Sequence, residues 1–291
     1  MRGAWIVDQE SGERREVRAA AVVNATGVWI GDLQRGDRRL RLRPTKGIHV
    51  LVPRARVGNV GAVVLTAKDA RIIFVIPWGD ALSLIGTTDT DYRGDRERVE
   101  ADGTDVAYLL DVVNAGFPEA RLTAGDVVGT YAGLRPLVDT GERRESDISR
   151  KHEIVLDPDG LLTVAGGKLT TARAMADDVF RRLAGFLPPP PNRVDTRRIS
   201  LAEAEPDLGG DVSRAAAHAG RHEMALHVDD VMIRRLGWFH ERADHGMGVA
   251  PQAAEALGQE LGWDATRRAG ELARFRALVA ANDRWREGAH G

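Results

Sequence analysis

Gly166, Gly167 and Lys168 lie between an apolar run and a segment of helical spacing. Paired glycines let a backbone approach a ligand closely and take up positive φ, and a helix start offers unpaired N–H groups to electron-rich atoms. A lysine at a helix start opposes the helix dipole, which favours a ligand-directed role over a solvent-facing one. The chemistry on offer is retention of a cofactor's carbonyls or phosphates, with a plain turn as the alternative for Gly-Gly at a strand end. The elements that must hold these residues are legible on both sides. Residues 161–165, behind an Asp-Pro-Asp-Gly turn, read as a buried strand. Leu169, Ala172, Ala176, Val179, Phe180 and Leu183 then recur at helical spacing, with hydroxyl residues near the start.

Composition bounds the function classes. The 291 residues suffice for two domains or one with an appendage, and 43% hydrophobic residues suffice for a sizeable core. Forty-one Lys+Arg against 43 Asp+Glu gives a formal charge of -2, which argues against a nucleic-acid partner. The arginine pairs at 14–15, 143–144, 181–182, 197–198 and 234–235 are scattered among acids and read as solvated surface. With no cysteine there is no disulfide framework, thiolate nucleophile or iron–sulfur site. No apolar run is long enough to span a bilayer, and no signal-peptide core opens the sequence. The histidines show no metal-ligand spacing, so no metal is expected.

Residues 4–7 and 16–19 read as a hairpin, 20–24 as a strand ending in Ala25-Thr26-Gly27, and Val28, Trp29 and Leu33 as a short helix. The middle is strand-rich. Strands are expected over 49–53, 63–66, 127–137 and 153–156, and a hairpin over 71–77 and 81–86 through Trp78-Gly79-Asp80. A helix over 105–115 ends at Phe117-Pro118. Four prolines at 188–191 mark a semi-rigid boundary. Beyond it, 211–285 is helical in pattern, with breaks near His245-Gly246 and Gly262.

Six strand-end motifs occur in one order: Val23-Asn24-Ala25-Thr26-Gly27, Lys46-Gly47-Ile48-His49, Phe74-Val75-Ile76-Pro77-Trp78, Gly86-Thr87-Thr88-Asp89, Tyr131-Ala132-Gly133-Leu134-Arg135-Pro136-Leu137 and Gly166-Gly167-Lys168-Leu169-Thr170-Thr171. Together they resemble the FAD-dependent, quinone-linked glycerol-3-phosphate dehydrogenase family. The resemblance is strong over residues 1–185 and continues weakly through His222-Glu223-Met224-Ala225 and residues 229–235. It implies an α/β fold with α+β character. Residues 1–34 and 160–187 would be the remainder of a partial Rossmann-like FAD-binding domain. Residues 35–159 would form an antiparallel-sheet substrate domain, 188–200 a linker and 201–291 a C-terminal helical domain.

The implied reaction oxidises sn-glycerol 3-phosphate to dihydroxyacetone phosphate and passes electrons to quinone. The resemblance places His49 beside the substrate hydroxyl as base or hydrogen-bond partner, and Lys168 near the flavin and the reacting carbon, where a cation would stabilise developing negative charge. Arg135 and Arg150 would approach the phosphate, a task suited to paired guanidinium forks. Thr88 and Asp89 end a strand where substrate or flavin could be reached, with an N-cap or turn role as the alternative. Ala25, Thr26 and Gly27 would pass the adenine or pyrophosphate side of FAD, and with Gly166, Gly167, Lys168, Leu169, Thr170 and Thr171 they would embrace one side of the cofactor. Trp78 reads as core.

The sequence departs from the family's pattern in one respect: it contains no Gly-x-Gly-x-x-Gly. The expectation is that it corresponds to the C-terminal part of the enzyme. A separate chain would then carry the Rossmann half, and this polypeptide alone would be colourless. Two other classes stay open. A related flavin amine or amino-acid oxidase would have no use for Arg135 with Arg150, and a non-catalytic remnant or partner subunit would bind no flavin by itself. Quinone reduction implies a cytoplasmic protein peripheral to the inner face of the cell membrane, and a homodimer is a further expectation.

Overall fold

A computed structural model describes residues 1–34, 40–139, 141, 151–189, 194–200, 208 and 210–288. The chain opens with β1 (Gly3–Val7) and β2 (Arg14–Arg18), paired antiparallel as the hairpin pattern predicts, then β3 (Val22–Asn24) and α1 (Ile30–Leu33). The strand-rich middle holds β4 (Leu42–Pro53), α2 (Arg54–Val57), β5 (Val63–Thr66), β6 (Ile72–Trp78), β7 (Leu82–Gly86) and β8 (Thr90–Asp91). It continues through α3 (Gly103–Gly116), β9 (Gly129–Val138), β10 (His152–Leu156), β11 (Leu161–Gly166) and α4 (Ala172–Leu183). The helical part comprises α5 (Val212–His222), a π-helical Asp230–Arg235, α6 (Trp238–Glu241), α7 (Ala250–Leu261) and α8 (Ala265–Asp283). The fold is thus mixed α/β with antiparallel sheets and C-terminal helices.

The chain divides into two compact units. The first comprises Met1–Lys46, Asp89–Glu97 and Leu134–Ala202. Its sheet has the order β10-β11-β3, with β11 antiparallel to β10 and parallel to β3. Ile30, Val138 and Ala165 make its small core. The second comprises Gly47–Thr88, Arg98–Gly133 and Glu203–Gly291.

In the second unit β5, β6, β7 and the later residues of β4 form an antiparallel sheet. Alternation decides its faces. Ile48, Val50, Ile73, Val75 and Ile85 point into a core closed by Val106, Leu109 and Val113 of α3, while Ile72, Phe74 and Ile76 are exposed. The start of α3 is fixed by a capping box: Asp105 N–H donates to Asp102 Oδ1 at 2.9 Å, and Asp105 accepts from the Asp102 backbone. A second core lies among the helices, where Met232, Leu257 and Phe275 are buried. Each such side chain contributes about 1.5–3 kcal/mol through removal from water.

Residues 87–89 are not strand, since β7 ends at Gly86, and two further differences from the pattern lie in segments that carry candidate site residues. β4 begins at Leu42, upstream of the expected residue 49, because Pro44 and the polar residues beside it mask the strand. A strand tolerates proline where only its carbonyl is needed, and Pro44 O accepts from Tyr92 N–H at 2.9 Å. After Lys168, a 3-10 turn (Leu169–Thr171) precedes α4. Of the apolar residues spaced along it only Leu183 is buried; Leu169 and Phe180 are exposed. Helical spacing predicts an apolar face, not what covers it. The last two of the four prolines at 188–191 lie outside the described residues.

Candidate active site

In the first unit, β3 and β11 run parallel with Leu161 opposite Val22 and Thr163 opposite Asn24. Both strands therefore release their chains at the same edge, the carboxyl end where open α/β sheets bind ligands. Ala25-Thr26-Gly27 emerges from one and Gly166-Gly167-Lys168 from the other. Asn24, buried, shapes the first turn. Its Nδ2 donates to Ile30 O at 2.9 Å, and its Oδ1 accepts from the Thr26 hydroxyl at 2.7 Å. Gly27 has φ +61 with open space where a Cβ would stand, and Ala25 and Thr26 are exposed. This turn fits the close backbone approach of a cofactor.

The second loop answers partly to its own chain. Gly166 and Gly167 have φ of +70 and +81, and a Cβ on them would stand 2.6 Å from Lys151 O and 2.4 Å from Met175 Sδ. Behind the loop, His152 Nε2 lies 2.7 Å from Asp178 Oδ2 and ties β10 to α4. Lys168, Leu169, Thr170 and Thr171 are all exposed at the same edge. The Thr171 hydroxyl donates to Lys168 O at 2.9 Å, which fixes the backbone from which the lysine projects.

Also in this unit, Arg135 Nη1 donates to Asp89 Oδ1 at 3.1 Å in a largely buried ion pair. Arg150 lies outside the described residues.

The second unit holds His49. In the sheet register it stands opposite Gly86, and Gly86 stands opposite Phe74 on the next strand. A Cβ on Gly86 would meet His49 Cδ2 at 2.1 Å and Nε2 at 2.8 Å, so the imidazole lies across the backbone of β7. Thr88 is buried, and its hydroxyl accepts from Ile48 N–H at 3.0 Å. It therefore secures β4 beside His49.

The sequence reading missed an aromatic stack in this unit. Tyr131 and His240 lie with ring centroids 3.7 Å apart and planes at 23°, and Trp78 meets Tyr131 edge-on. The Trp78 indole donates to Glu241 Oε1 at 2.8 Å, and His240 Nδ1 lies 3.1 Å from Thr130 O. Burial and the Glu241 charge push the Tyr131 phenol up to about 12. Burial first, and the His245 charge, push His240 down from 6.5 to about 4 against the opposing Thr130 contact. No local spacing announces a pair so far apart in sequence. Gly86 did carry a signal, since a glycine inside a strand marks a close approach.

Because His240 is depressed, the unfolded chain takes up its proton first on acidification. The stability this residue supplies is full above about 6.5 and is lost as pH falls towards about 4. Urea midpoints across that window should therefore fall less steeply for His240→Gln than for the unsubstituted protein. Equal slopes would show that another group governs the loss.

Among the helices, His227, Asp229 and Glu271 cluster with ligand atoms within 4.8 Å of one another. Arginines already serve both acids: Arg234 and Arg274 lie 3.0 and 3.3 Å from Asp229, and Arg267 lies 2.9 Å from Glu271. The cluster reads as an ion-pair network.

Residues 1–182 match the family model for FAD-dependent oxidoreductases. The chain belongs to the FAD-dependent oxidoreductase family. Residues 193–268 of this family member match the C-terminal domain of alpha-glycerophosphate oxidase. Glycerol-3-phosphate dehydrogenase 2 of Mycobacterium bovis is 33% identical over 96% of this chain and 56% of that protein. The aerobic glycerol-3-phosphate dehydrogenase of Staphylococcus haemolyticus is 37% identical over 74% of this chain and 39% of its own length. The chain thus spans about half the length of the mycobacterial relative. The glycerol-3-phosphate dehydrogenase of Bacillus halodurans, solved with FAD, superposes with a TM-score of 0.79 at 24% identity. That superposition covers 98% of this chain and 66% of that one, and it shows the shared fold.

Proposed function

We propose that the protein takes part in FAD-dependent oxidation of sn-glycerol 3-phosphate to dihydroxyacetone phosphate, with electrons passed on to quinone. The observation that carries this reading is the pairing of two matches. A flavin oxidoreductase match alone would suit an amine or amino-acid oxidase equally well. The added match of residues 193–268 to the C-terminal domain of alpha-glycerophosphate oxidase supports the phosphorylated polyol.

In this reading residues 1–34 and 160–187 form this chain's share of the flavin domain, and 35–159 the substrate domain. Residues 188–200 link them to a helical domain at 201–291. Ala25, Thr26, Gly27 and the segment 166–171 hold FAD, for which the open turn at Gly27 and the exposed edge at Lys168 are suited. Bound FAD supplies the hydride acceptor. His49 accepts the hydroxyl proton as the carbon loses its hydride, and Lys168 stabilises the negative charge that develops. Arg135, with Arg150, takes the phosphate. Among the described residues no helix is long and apolar enough to cross a membrane, and delivery of electrons to quinone would be peripheral.

Once this chain is completed with a Rossmann half and loaded with FAD, anaerobic mixing with sn-glycerol 3-phosphate should bleach the flavin absorbance. Bleaching by glycine or sarcosine in place of the phosphate ester would transfer the protein to the amino-acid oxidases.

A further inference from the structure

Its place in the sequence sets Asp89 among the candidate substrate-binding residues, yet its carboxylate is engaged with Arg135. We infer that Asp89 is a positioning residue that holds the Arg135 guanidinium ready for a phosphate dianion and does not itself touch the substrate. This rests on the reading of Arg135 as the phosphate ligand.

Three observations carry it. The pair is in hydrogen-bonding contact, at 3.1 Å, and both side chains are largely withdrawn from water, 12% exposed for Asp89 and 24% for Arg135. Contact at that burial fixes a side chain that otherwise has many rotamers, so the ordering cost is met before any ligand arrives. Next, both ends are anchored. Asp89 directly precedes β8, whose Thr90 pairs with Lys46 of β4, and Arg135 sits within β9 just before Pro136, whose ring fixes φ. Last, an ionised carboxylate is an acceptor only. Facing phosphate oxygens, which are acceptors of the same charge, it repels them, so its favourable action on a phosphate must pass through the arginine.

A hydroxyl of the substrate is the one group Asp89 could bind directly, and two ligands separate the cases. Inorganic phosphate has no carbon-borne hydroxyl; sn-glycerol 3-phosphate has two. Calorimetric titration of the full chain with each ligand should show D89N weakening both by about tenfold, a middling coupling for residues in contact. On an R135A background D89N should add nothing. D89E keeps the carboxylate and should recover part of the affinity for both ligands, which also guards against a variant that fails to fold. The inference is overturned if D89N weakens sn-glycerol 3-phosphate alone, if it leaves phosphate binding unchanged or tighter, if its effect adds to that of R135A, or if D89E is as weak as D89N. An R135A protein that binds both ligands normally, or an unsubstituted protein that binds neither, removes the reading of Arg135 and this inference with it.

Discussion

Replacing Arg135 by alanine is expected to lower kcat/KM for sn-glycerol 3-phosphate by about 2–4 kcal/mol of transition-state binding, the loss typical of truncating a buried charged partner. Two effects combine. The phosphate loses a guanidinium that offers donors in a fixed fork, and Asp89 is left as a buried carboxylate without the partner 3.1 Å away. The second effect also costs folding stability, so activity alone would not separate a ligand from a strut. Free glycerol supplies the control. It lacks the phosphate and presents the same carbon-borne hydroxyl, so its slow turnover should change far less than that of the ester. Equal proportional losses on both substrates would make Arg135 structural and withdraw the phosphate assignment. Arg135→Lys should fall between, because a lysine keeps the charge and loses the fork.

The parts of this fold that the sequence discloses are those set by local pattern. The hairpins β1–β2 and β6–β7, the helix α3 and the helices after the prolines follow from alternation, turn glycines and 3.6-residue spacing, all readable within a short window. The parallel pairing of β3 with β11 brings Ala25-Thr26-Gly27 and Gly166-Gly167-Lys168 to one edge, and neither segment reports the other. The same holds for Tyr131 with His240 and for Asp89 with Arg135, whose partners are distant in sequence. At Thr88 residue type names a hydroxyl but not its partner. Its hydroxyl looks available at a strand end, and only the tertiary structure shows it buried against Ile48 N–H. Gly166 and Gly167 teach the converse. Glycine reports that a side chain will not fit, and here part of what occupies the space is Lys151 O and Met175 Sδ.

Gly86 gives the sharpest test of His49. A methyl group there would have to occupy the position now filled by the imidazole, 2.1 Å from Cδ2 and 2.8 Å from Nε2. The ring is the part that can yield, since β7 is held on both sides by β4 and β6. Gly86→Ala should therefore turn His49 away while the sheet stays paired, at an overpacking cost of about 1–3 kcal/mol. If His49 takes the proton from the substrate hydroxyl, kcat should fall by roughly a hundredfold or more, the usual worth of a positioned general base. KM for sn-glycerol 3-phosphate should move little, because in this reading the histidine serves the hydroxyl and not the phosphate. His49→Ala removes the same base without crowding the strand and should reproduce the loss in kcat. Combining the two should cost scarcely more than either alone, as expected for changes acting through one group. Near-normal kcat in Gly86→Ala, with a crystal structure showing the imidazole displaced, would sink the assignment of His49 as base. Losses that multiply in the double variant would instead mean that Gly86 serves the site by a route independent of the histidine.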